Sequence, residues 1–133
     1  MRNMQEMRSV PVKTYHGARA KISDGKSIVV TVPPNTKIEN AQFYVLEGYF
    51  GAAFGSVETK AGEQAELTLN IEQAEYETDQ LKSGNEFEKG AIVYFDEEAK
   101  VFTVEEEGNR KVGRVSEAKD ANGVILFILG PQI

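Results

Sequence analysis

Apolar and polar positions alternate with a period of two along much of this chain, the spacing that places successive side chains on opposite faces of a β-strand. Residues 66–72 (ELTLNIE) show it most clearly, with Leu67, Leu69 and Ile71 on one face. Residues 27–32 (SIVVTV) are rich in β-branched side chains and are followed by two prolines, which cannot donate to a strand ladder. The pattern predicts a strand over each segment.

Glycines interrupt the next apolar stretch, residues 41–56 (AQFYVLEGYFGAAFGS). We predict two strands or one bent strand there, with Gly48 and Gly51 at the bulge or corner positions of a curved sheet. The stretch matches neither G-x-G-x-x-G nor the Walker A pattern, and no lysine follows its last glycine, Gly55. Structural glycines are therefore preferred here over a phosphate-binding loop.

Short apolar runs separated by turn signals fill the C-terminal part of the chain. Strands are predicted at residues 91–95, 101–105, 111–115 and 124–129. Four strands at this spacing indicate an antiparallel meander, and residues 116–121 are the one place where a single helical turn is expected. The whole pattern predicts an all-β fold, a small antiparallel β-barrel or sandwich.

The last predicted strand, residues 124–129 (VILFIL), is apolar at all its positions. Continuous apolar character indicates that both faces of the strand are covered, either in the centre of a barrel closure or at a subunit interface. We favour the core. Residues 73–90 are far more polar, and there we expect Tyr76 and Leu81 to turn inward.

The N-terminal residues show no sustained period. Three methionines spaced three apart would line one side of a short helical turn, but Pro11 stops any helix soon after. We predict that residues 1–26 form an extended, partly ordered N-terminal arm and that residues 27–133 form the β-barrel domain. A frayed terminus is the alternative for the arm.

Composition narrows the chemistry that the chain can perform. A length of 133 residues is that of one domain, and the absence of cysteine excludes disulfides, thiolate catalysis and cysteine-based metal sites. His16 is the only histidine, so a Ser-His-Asp relay would have to use it and a multi-histidine metal site cannot form. No stretch approaches the ~20 apolar residues of a membrane span, and no signal peptide is recognised. We predict a soluble, cytoplasmic protein without a cofactor or a membrane partner.

The net charge of −6 is unevenly distributed. Residues 57–107 carry 15 acidic and 4 basic side chains, a balance of −11, so the two flanking segments together carry +5. An acidic middle argues against wrapping nucleic acid over a broad face and suits a solvated surface, with basic ends free to meet another acidic surface. The carboxylate runs at 96–98 and 105–107 lie in predicted turns, where solvation disfavours an acid–base pair.

A small basic cluster, Arg110, Lys111 and Arg114, lies near the C-terminus. In a regular strand Lys111 and Arg114 would point to opposite faces, and so would Val112 and Val115, which weakens a phosphate-binding interpretation. Aromatic side chains able to stack on bases are present, but they lie in strands predicted for the core. The surface of a β-hairpin is therefore the preferred interpretation of the cluster.

The C-terminal half resembles the capsid decoration, or cement, proteins of tailed phages and prophages, a family sometimes misnamed as RecA-like recombinases. The frame is a glycine before a V-Y-W/F-D strand, a V-T strand, G-N-x-x-V-G-x-A, and a short connection into a final apolar strand. Its residues here are Gly90, Val93, Tyr94, Phe95, Asp96, Val101, Thr103, Gly108, Asn109, Val112, Gly113, Glu117, Ala118 and Gly123. With EGYFGAAF and ELTLNI upstream, the resemblance covers residues 39–129. The P-loop that a RecA-type ATPase needs is missing.

The resemblance implies a virion structural protein rather than an enzyme. Such a protein binds the outside of the expanded capsid, commonly as a homotrimer, and holds the major capsid protein against the pressure of packaged DNA. It also implies a location on the capsid surface, reached from the host cytoplasm during assembly, and no specific nucleic-acid partner. The family's N-terminus is often a short apolar strand, whereas this chain has a longer lead with methionines and basic residues.

Contacts with the capsid or with a neighbouring copy are expected on the arm, by strand addition or apolar docking, at Met4, Met7, Val10, Val12 and Tyr15. Two other functions are kept as alternatives. One is a nucleic-acid-binding small β-barrel of the OB or SH3-like type. The other is a small hydrolase, which would need two clustered carboxylates in one pocket with separated pKa values.

Overall fold

The computed structural model describes residues 24–133, which form β-strands and turns and contain no helix. The strands are β1 (Ser27–Val32), β2 (Lys37–Ile38), β3 (Phe43–Leu46), β4 (Tyr49–Phe54), β5 (Val57–Glu58), β6 (Ala65–Asn70), β7 (Glu75–Thr78), β8 (Ile92–Asp96), β9 (Val101–Thr103), β10 (Arg110–Glu117) and β11 (Ile125–Leu129). The prediction of an all-β fold is confirmed.

Antiparallel pairing organises these strands into three sheets. A four-stranded sheet has the order β1-β6-β4-β3, a five-stranded sheet has the order β7-β11-β10-β8-β9, and β2 pairs with β5. The sheets do not close into a barrel. Of the two architectures that the sequence left open, the sandwich-like one forms, because the β3–β4 hairpin of the four-stranded sheet packs Phe43 and Phe50 into the core of the five-stranded sheet.

Alternation along β6 builds the core of the four-stranded sheet as predicted. Leu67 and Leu69 are buried, and Val30 of β1 lies directly opposite Leu67. Ile38 of β2 belongs to the same buried cluster. Ile71, just after the strand, is only partly buried but packs against the same cluster, so the inward face extends through it.

The stretch around Gly48 and Gly51 forms two strands joined as a hairpin. Glu47 and Gly48 have φ angles of 50° and 84°, so they form the two-residue turn between β3 and β4. Gly48 was predicted at a bulge or corner and instead occupies this turn. Gly51 lies within β4, where a Cβ would overlap the carbonyl oxygen of Asn70 in the adjacent β6. Glycine there allows the two backbones to approach closely.

The β3–β4 hairpin lies between the two core clusters. Phe43 and Phe50 face the five-stranded sheet, with ring centroids 5.6 Å apart in a stacked arrangement, while Tyr44 and Leu46 face the cluster around β1 and β6. Phe43 also meets the edge of Phe102 at 5.2 Å. Each face of the hairpin therefore contributes to one of the two core clusters, and its packing joins the two sheets.

Two glutamine amides connect the same hairpin to the second sheet. The side chain of Gln80 accepts a hydrogen bond from the Phe43 N–H at 2.8 Å and donates one to the Phe43 carbonyl at 2.8 Å. Gln132 makes the same reciprocal pair with the backbone of Phe50, at 2.9 Å in each direction. Each amide extends the hairpin in place of a neighbouring strand and satisfies backbone groups that would otherwise be unpaired.

The prediction of an antiparallel meander is wrong in one pairing. β9 lies at the edge of the five-stranded sheet, and β10 pairs with the other side of β8 instead of with β9. The outer side of β9 is occupied by residues 80–82. There the Phe102 N–H donates to the Gln80 carbonyl, and the Lys82 N–H donates to the Phe102 carbonyl, both at 2.8 Å. With that edge filled, β10 takes the free edge of β8.

Strand β10 corrects a second prediction, that Val112 and Val115 lie on opposite faces. Both side chains are buried in the same core. The register shifts against β8 between Lys111 and Gly113, and against β11 between Val115 and Glu117. Each irregularity resets the alternation, so side chains three residues apart both point inward.

The single helical turn expected at residues 116–121 does not form. β10 continues through Glu117, and the connection to β11 is a turn. A side-chain oxygen of Asp120 accepts hydrogen bonds from the backbone N–H of Asn122 at 2.9 Å and of Val124 at 3.0 Å. Aspartate stabilises this kind of turn in competition with a helix.

The last strand, β11, is covered on only one of its faces. Ile125, Phe127 and Leu129 are buried, Leu126 is partly buried, and Ile128 is 51% exposed. The prediction that both faces are buried in the core is therefore wrong for a single copy of the chain. The subunit-interface alternative remains for the outward face, because that face is apolar and uncovered.

Candidate functional site

The basic cluster is part of the hairpin surface. One terminal nitrogen of the Arg110 guanidinium donates to the Gly48 carbonyl at 2.8 Å, and one of Arg114 donates to the Gly90 carbonyl at 2.8 Å. The two side chains are thus held by carbonyls in different loops. Lys111 is exposed on β10, opposite Tyr94 of β8. Tyr94 and Ile92, which lie opposite Lys111 and Arg114, share one face of β8, so the prediction that the two cations point to opposite faces is wrong. Arg110 and Arg114 are each engaged by a backbone carbonyl, so the geometry still favours hairpin surface over a phosphate site.

The carboxylate runs have structural roles in turns. A side-chain oxygen of Asp96 accepts hydrogen bonds from the N–H groups of Glu98 and Ala99, each at 3.0 Å. Glu105 pairs with Lys82 at 3.0 Å. Hydrogen bonds from Lys82 and Asn85, followed by the charge of Lys82, lower the pKa of the Glu105 carboxyl. A carboxylate in such a setting is held ionised, which is the opposite of what a general acid requires.

The described part of the chain offers little that could form a metal site or a catalytic site. Within residues 24–133 no group of three or more Asp, Glu or His side chains is placed to hold a metal ion. A shallow polar depression of about 330 Å³ lies along residues 35–37 and 58–61. Its buried Thr59 hydroxyl donates to the Pro33 carbonyl and accepts from the Thr36 N–H, so the hydroxyl is already used within the fold.

The aromatic side chains that would stack on bases lie inside the sandwich. Phe95, Phe102 and Phe127 are fully buried, in strands that face the core. They pack against one another, with the rings of Phe102 and Phe127 centred 4.9 Å apart. Binding of single strands on an aromatic platform needs exposed rings, so these three residues do not support the OB-type alternative.

Exposed apolar side chains form two separate surfaces. On the four-stranded sheet, Val29 (60% exposed) and Phe54 (57% exposed) both lie opposite Thr68 of β6, so the three residues form one row across the sheet. We call this row the Phe54 patch. On the five-stranded sheet, Ile128 is directly opposite Arg114, which in turn is opposite Ile92.

The three residues of the row around Ile128 help to line a groove of about 520 Å³. We call it the Ile128 groove. Its lining includes Ile92, Lys111, Arg114, Ile128, Pro131 and Ile133. Apolar side chains thus share the groove with two cations, and Arg114 lies between Ile92 and Ile128. Apolar groups beside arginine are common in protein–protein interfaces.

A comparison with known protein families decides the class of this chain. A family model described as phage cement protein matches residues 22–130, which includes every strand of the sandwich. The chain belongs to the phage cement protein family. No curated protein and no solved structure matched it.

Membership in the cement protein family gives the chain a structural role at the phage capsid and an association with the virion. The resemblance inferred from the sequence is confirmed by this match. Within the described residues, no helix has the length and apolar character of a membrane span. For a cement protein the surfaces of interest are docking surfaces, so the Phe54 patch and the Ile128 groove are the candidate sites among residues 24–133.

The contact residues predicted from the sequence lie outside the described residues. They are Met4, Met7, Val10, Val12 and Tyr15, and His16 lies outside as well. Sequence reasoning did not identify Phe54 or Val29 as surface residues. A weak signal existed for Ile128, since six consecutive apolar residues in one strand admit an interface as well as a core.

Proposed function

We propose that this cement protein binds the outer surface of the phage capsid and stabilises the head against internal pressure. The observation that carries the proposal is the family match over residues 22–130. The partner is the major capsid protein, on an expanded head. The protein acts as a passive clamp in the virion and performs no catalysis, and it meets its partner in the host cytoplasm during assembly.

A rigid sandwich suits the mechanism of a clamp. The aromatic core and the two glutamine amides hold the β3–β4 hairpin between the sheets, so a force applied to one surface is passed to the other through packed side chains. Many copies on one head act together, because each contact raises the effective concentration of the next. No single high-affinity site is required.

We also propose that several copies assemble around one symmetry axis of the capsid. The homotrimer implied by the sequence resemblance is part of it, since cyclic symmetry lets three equivalent surfaces contact three capsid subunits at once. Sedimentation velocity of the purified protein and of protein released from heads tests the trimer directly.

The direct test of binding is co-sedimentation with expanded, undecorated heads, with DNA-free heads and DNA alone run beside them. Saturable binding to both kinds of head, with a fixed number of copies per capsid subunit, is the expected result. Binding to DNA alone, falling steeply between low and moderate salt, would instead support the nucleic-acid-binding alternative.

The N-terminal arm is proposed as a capsid or intersubunit contact through Met4, Met7, Val10, Val12 and Tyr15. Removing residues 1–21 leaves the whole family match in place, as well as the hydrogen bond from the Ile71 N–H to the Lys26 carbonyl that precedes β1. This truncation should abolish head binding and leave the thermal unfolding transition unchanged. A full-length variant with the five residues changed to serine is the matched control for chain length. Unchanged binding by both variants would rule out the arm as the contact.

A further inference from the structure

The large apolar side chains exposed by residues 24–133 fall into two pairs. Val29 and Phe54 belong to the four-stranded sheet, whereas Ile128 and Ile133 belong to the five-stranded sheet and the segment that follows it. Exposed aliphatic and aromatic groups grouped in this way mark surfaces that are covered in an assembly. One copy of the chain therefore carries two different surfaces that gain from being covered.

The Phe54 patch has an acidic neighbour on its own face. Glu66 lies on β6 two residues from Thr68, so the two side chains share one side of the sheet. Its carboxylate is exposed and makes no ion pair within the described part of the chain. The patch thus combines a protruding aromatic side chain with an unpaired negative charge.

The Ile128 groove has the opposite character. It is concave and apolar along Ile92, Ile128 and Ile133, and the cations of Lys111 and Arg114 line it. Lys111 likewise makes no ion pair among residues 24–133. A volume of about 520 Å³ lies within the range of about 300–1,000 Å³ typical of ligand pockets, so an aromatic side chain fits into it.

Two segments of the chain could occupy the Ile128 groove, the N-terminal segment and the Phe54 patch of another copy, and their charges differ. The N-terminal segment, residues 1–23, has five basic side chains and one acidic side chain, so it would be repelled by Lys111 and Arg114. The Phe54 patch offers an apolar knob with Glu66 beside it. Shape and charge both match the patch to the groove.

We propose that copies of this protein associate head to tail, with the Phe54 patch of one copy docked in the Ile128 groove of the next. Phe54 and Val29 fill the apolar groove, and Glu66 meets Lys111. Because the two surfaces differ, the contact is heterologous, and it produces a closed ring if the rotation between copies closes. The inference rests on the proposed function for its setting, in which several copies gather on one head.

Cysteine cross-linking tests the contact cleanly, because the chain contains no cysteine. The double variant Phe54→Cys/Ile128→Cys is oxidised at high protein concentration in solution and again on heads, and the products are separated by denaturing gel. Disulfide-linked multimers are expected from the double variant, ending at the ring size. Phe54→Cys and Ile128→Cys alone are the matched controls and should give single chains, because like surfaces do not meet.

A second experiment uses charge reversal. Glu66→Lys and Lys111→Glu, each made singly, should weaken association in sedimentation velocity by about tenfold, since like charges then face each other. The combined variant should recover association, because every contact again pairs opposite charges. Thermal unfolding of each variant shows that the sandwich is intact.

Three outcomes would overturn the inference. The first is cross-linking of a single-cysteine variant as efficient as that of the double variant, which means that like surfaces meet. The second is a double variant that binds heads but forms no cross-linked multimers, either in solution or on those heads. The third is loss of head binding by an Ile128→Arg variant with unchanged self-association, which assigns the groove to the capsid. The second and third outcomes would leave the proposed function unaffected. If the protein instead formed the cross-links but did not bind heads, the proposed function would be wrong and the contact between copies would stand.

Discussion

Gly113 shows how closely the strands of the five-stranded sheet approach each other at a single residue. A Cβ at this position would overlap the carbonyl oxygen of Ile128 in β11. The same residue lies at the irregularity that resets the register of β10 against β8. Its requirement for glycine comes from this contact, since its φ angle is not among the positive values found at the turn glycines.

Gly113→Ala is therefore expected to destabilise the sandwich by about 1–3 kcal/mol, the usual cost of inserting a methyl group where neighbouring atoms must move. Gly130→Ala is the matched control, because the nearest atom to a Cβ there is the Val112 carbonyl oxygen at 3.6 Å, an ordinary contact. Urea denaturation of both variants measures the difference. Equal midpoints for the two would show that β11 moves away without cost.

The ionisation of Glu105 is expected to make the stability of the fold depend on pH. Hydrogen bonds from Lys82 and Asn85 favour its ionised form and lower its pKa below the ordinary value of 4.5. A carboxyl with a lowered folded pKa stabilises the fold fully above the unfolded value, and this contribution is lost as pH falls through the folded value. The stabilising effect of the pair should therefore disappear on the acid side of pH 4.5.

Lys82→Met should raise the pKa of Glu105 toward its ordinary value and flatten the acid limb of the stability curve. Carboxyl chemical shifts followed by NMR report the titration. Lys89→Met is the control, because Lys89 is exposed and makes no ion pair in the described region. If the two variants titrate alike at Glu105, the ion pair is not the cause of the shift.

Among the strands, the β3–β4 hairpin holds the architecture together. Its two faces belong to different core clusters, and its backbone is held at Phe43 by Gln80 and at Phe50 by Gln132. Removing either amide leaves a part-buried N–H and a carbonyl without their partner, which costs more than the net value of a hydrogen bond.

Gln80→Ala and Gln132→Ala should each lower the free energy of unfolding by about 1–3 kcal/mol. Gln64→Ala supplies the comparison, because Gln64 is exposed and its side chain makes no hydrogen bond within residues 24–133. Thermal or chemical denaturation of the three variants, with the fold checked by circular dichroism, gives the ranking. A Gln64→Ala variant as unstable as the other two would contradict a specific role for the amides of Gln80 and Gln132.

Most strands were predictable because their signals are local. Alternation identified β6, the charged turn at residues 96–100 separated β8 from β9, and the Asn122-Gly123 turn separated β10 from β11. The pairing of β10 was not predictable in this way. It depends on residues 80–82 filling the outer side of β9, and that segment carries no strand pattern. The inward direction of both Val112 and Val115 depends in turn on register shifts that a period-two pattern does not contain.

At the scale of the whole molecule, the family resemblance could be found from the sequence, because its motif residues are turns and core positions of the sandwich. The docking surfaces could not. Whether Phe54 or Ile128 faces solvent depends on which sheet covers which face, and both lie in runs that read as core. The predicted contacts of the arm remain a proposal, while the two apolar surfaces follow from the folded domain.

In the proposed assembly, the Phe54 patch and the Ile128 groove link copies to each other, and the arm contacts the capsid. Such an assembly would share load between neighbours, because each copy would be held both by the head and by the adjacent copies. Stabilisation of the head should then depend on occupancy and level off when the sites are filled.

The temperature at which DNA-filled, expanded heads release their DNA, measured as purified protein is added, tests this account most directly. The release temperature should rise with bound protein and reach a plateau at the copy number per capsid subunit where binding saturates. Saturable binding that leaves the release temperature at its undecorated value would contradict the claim that this cement protein stabilises the head.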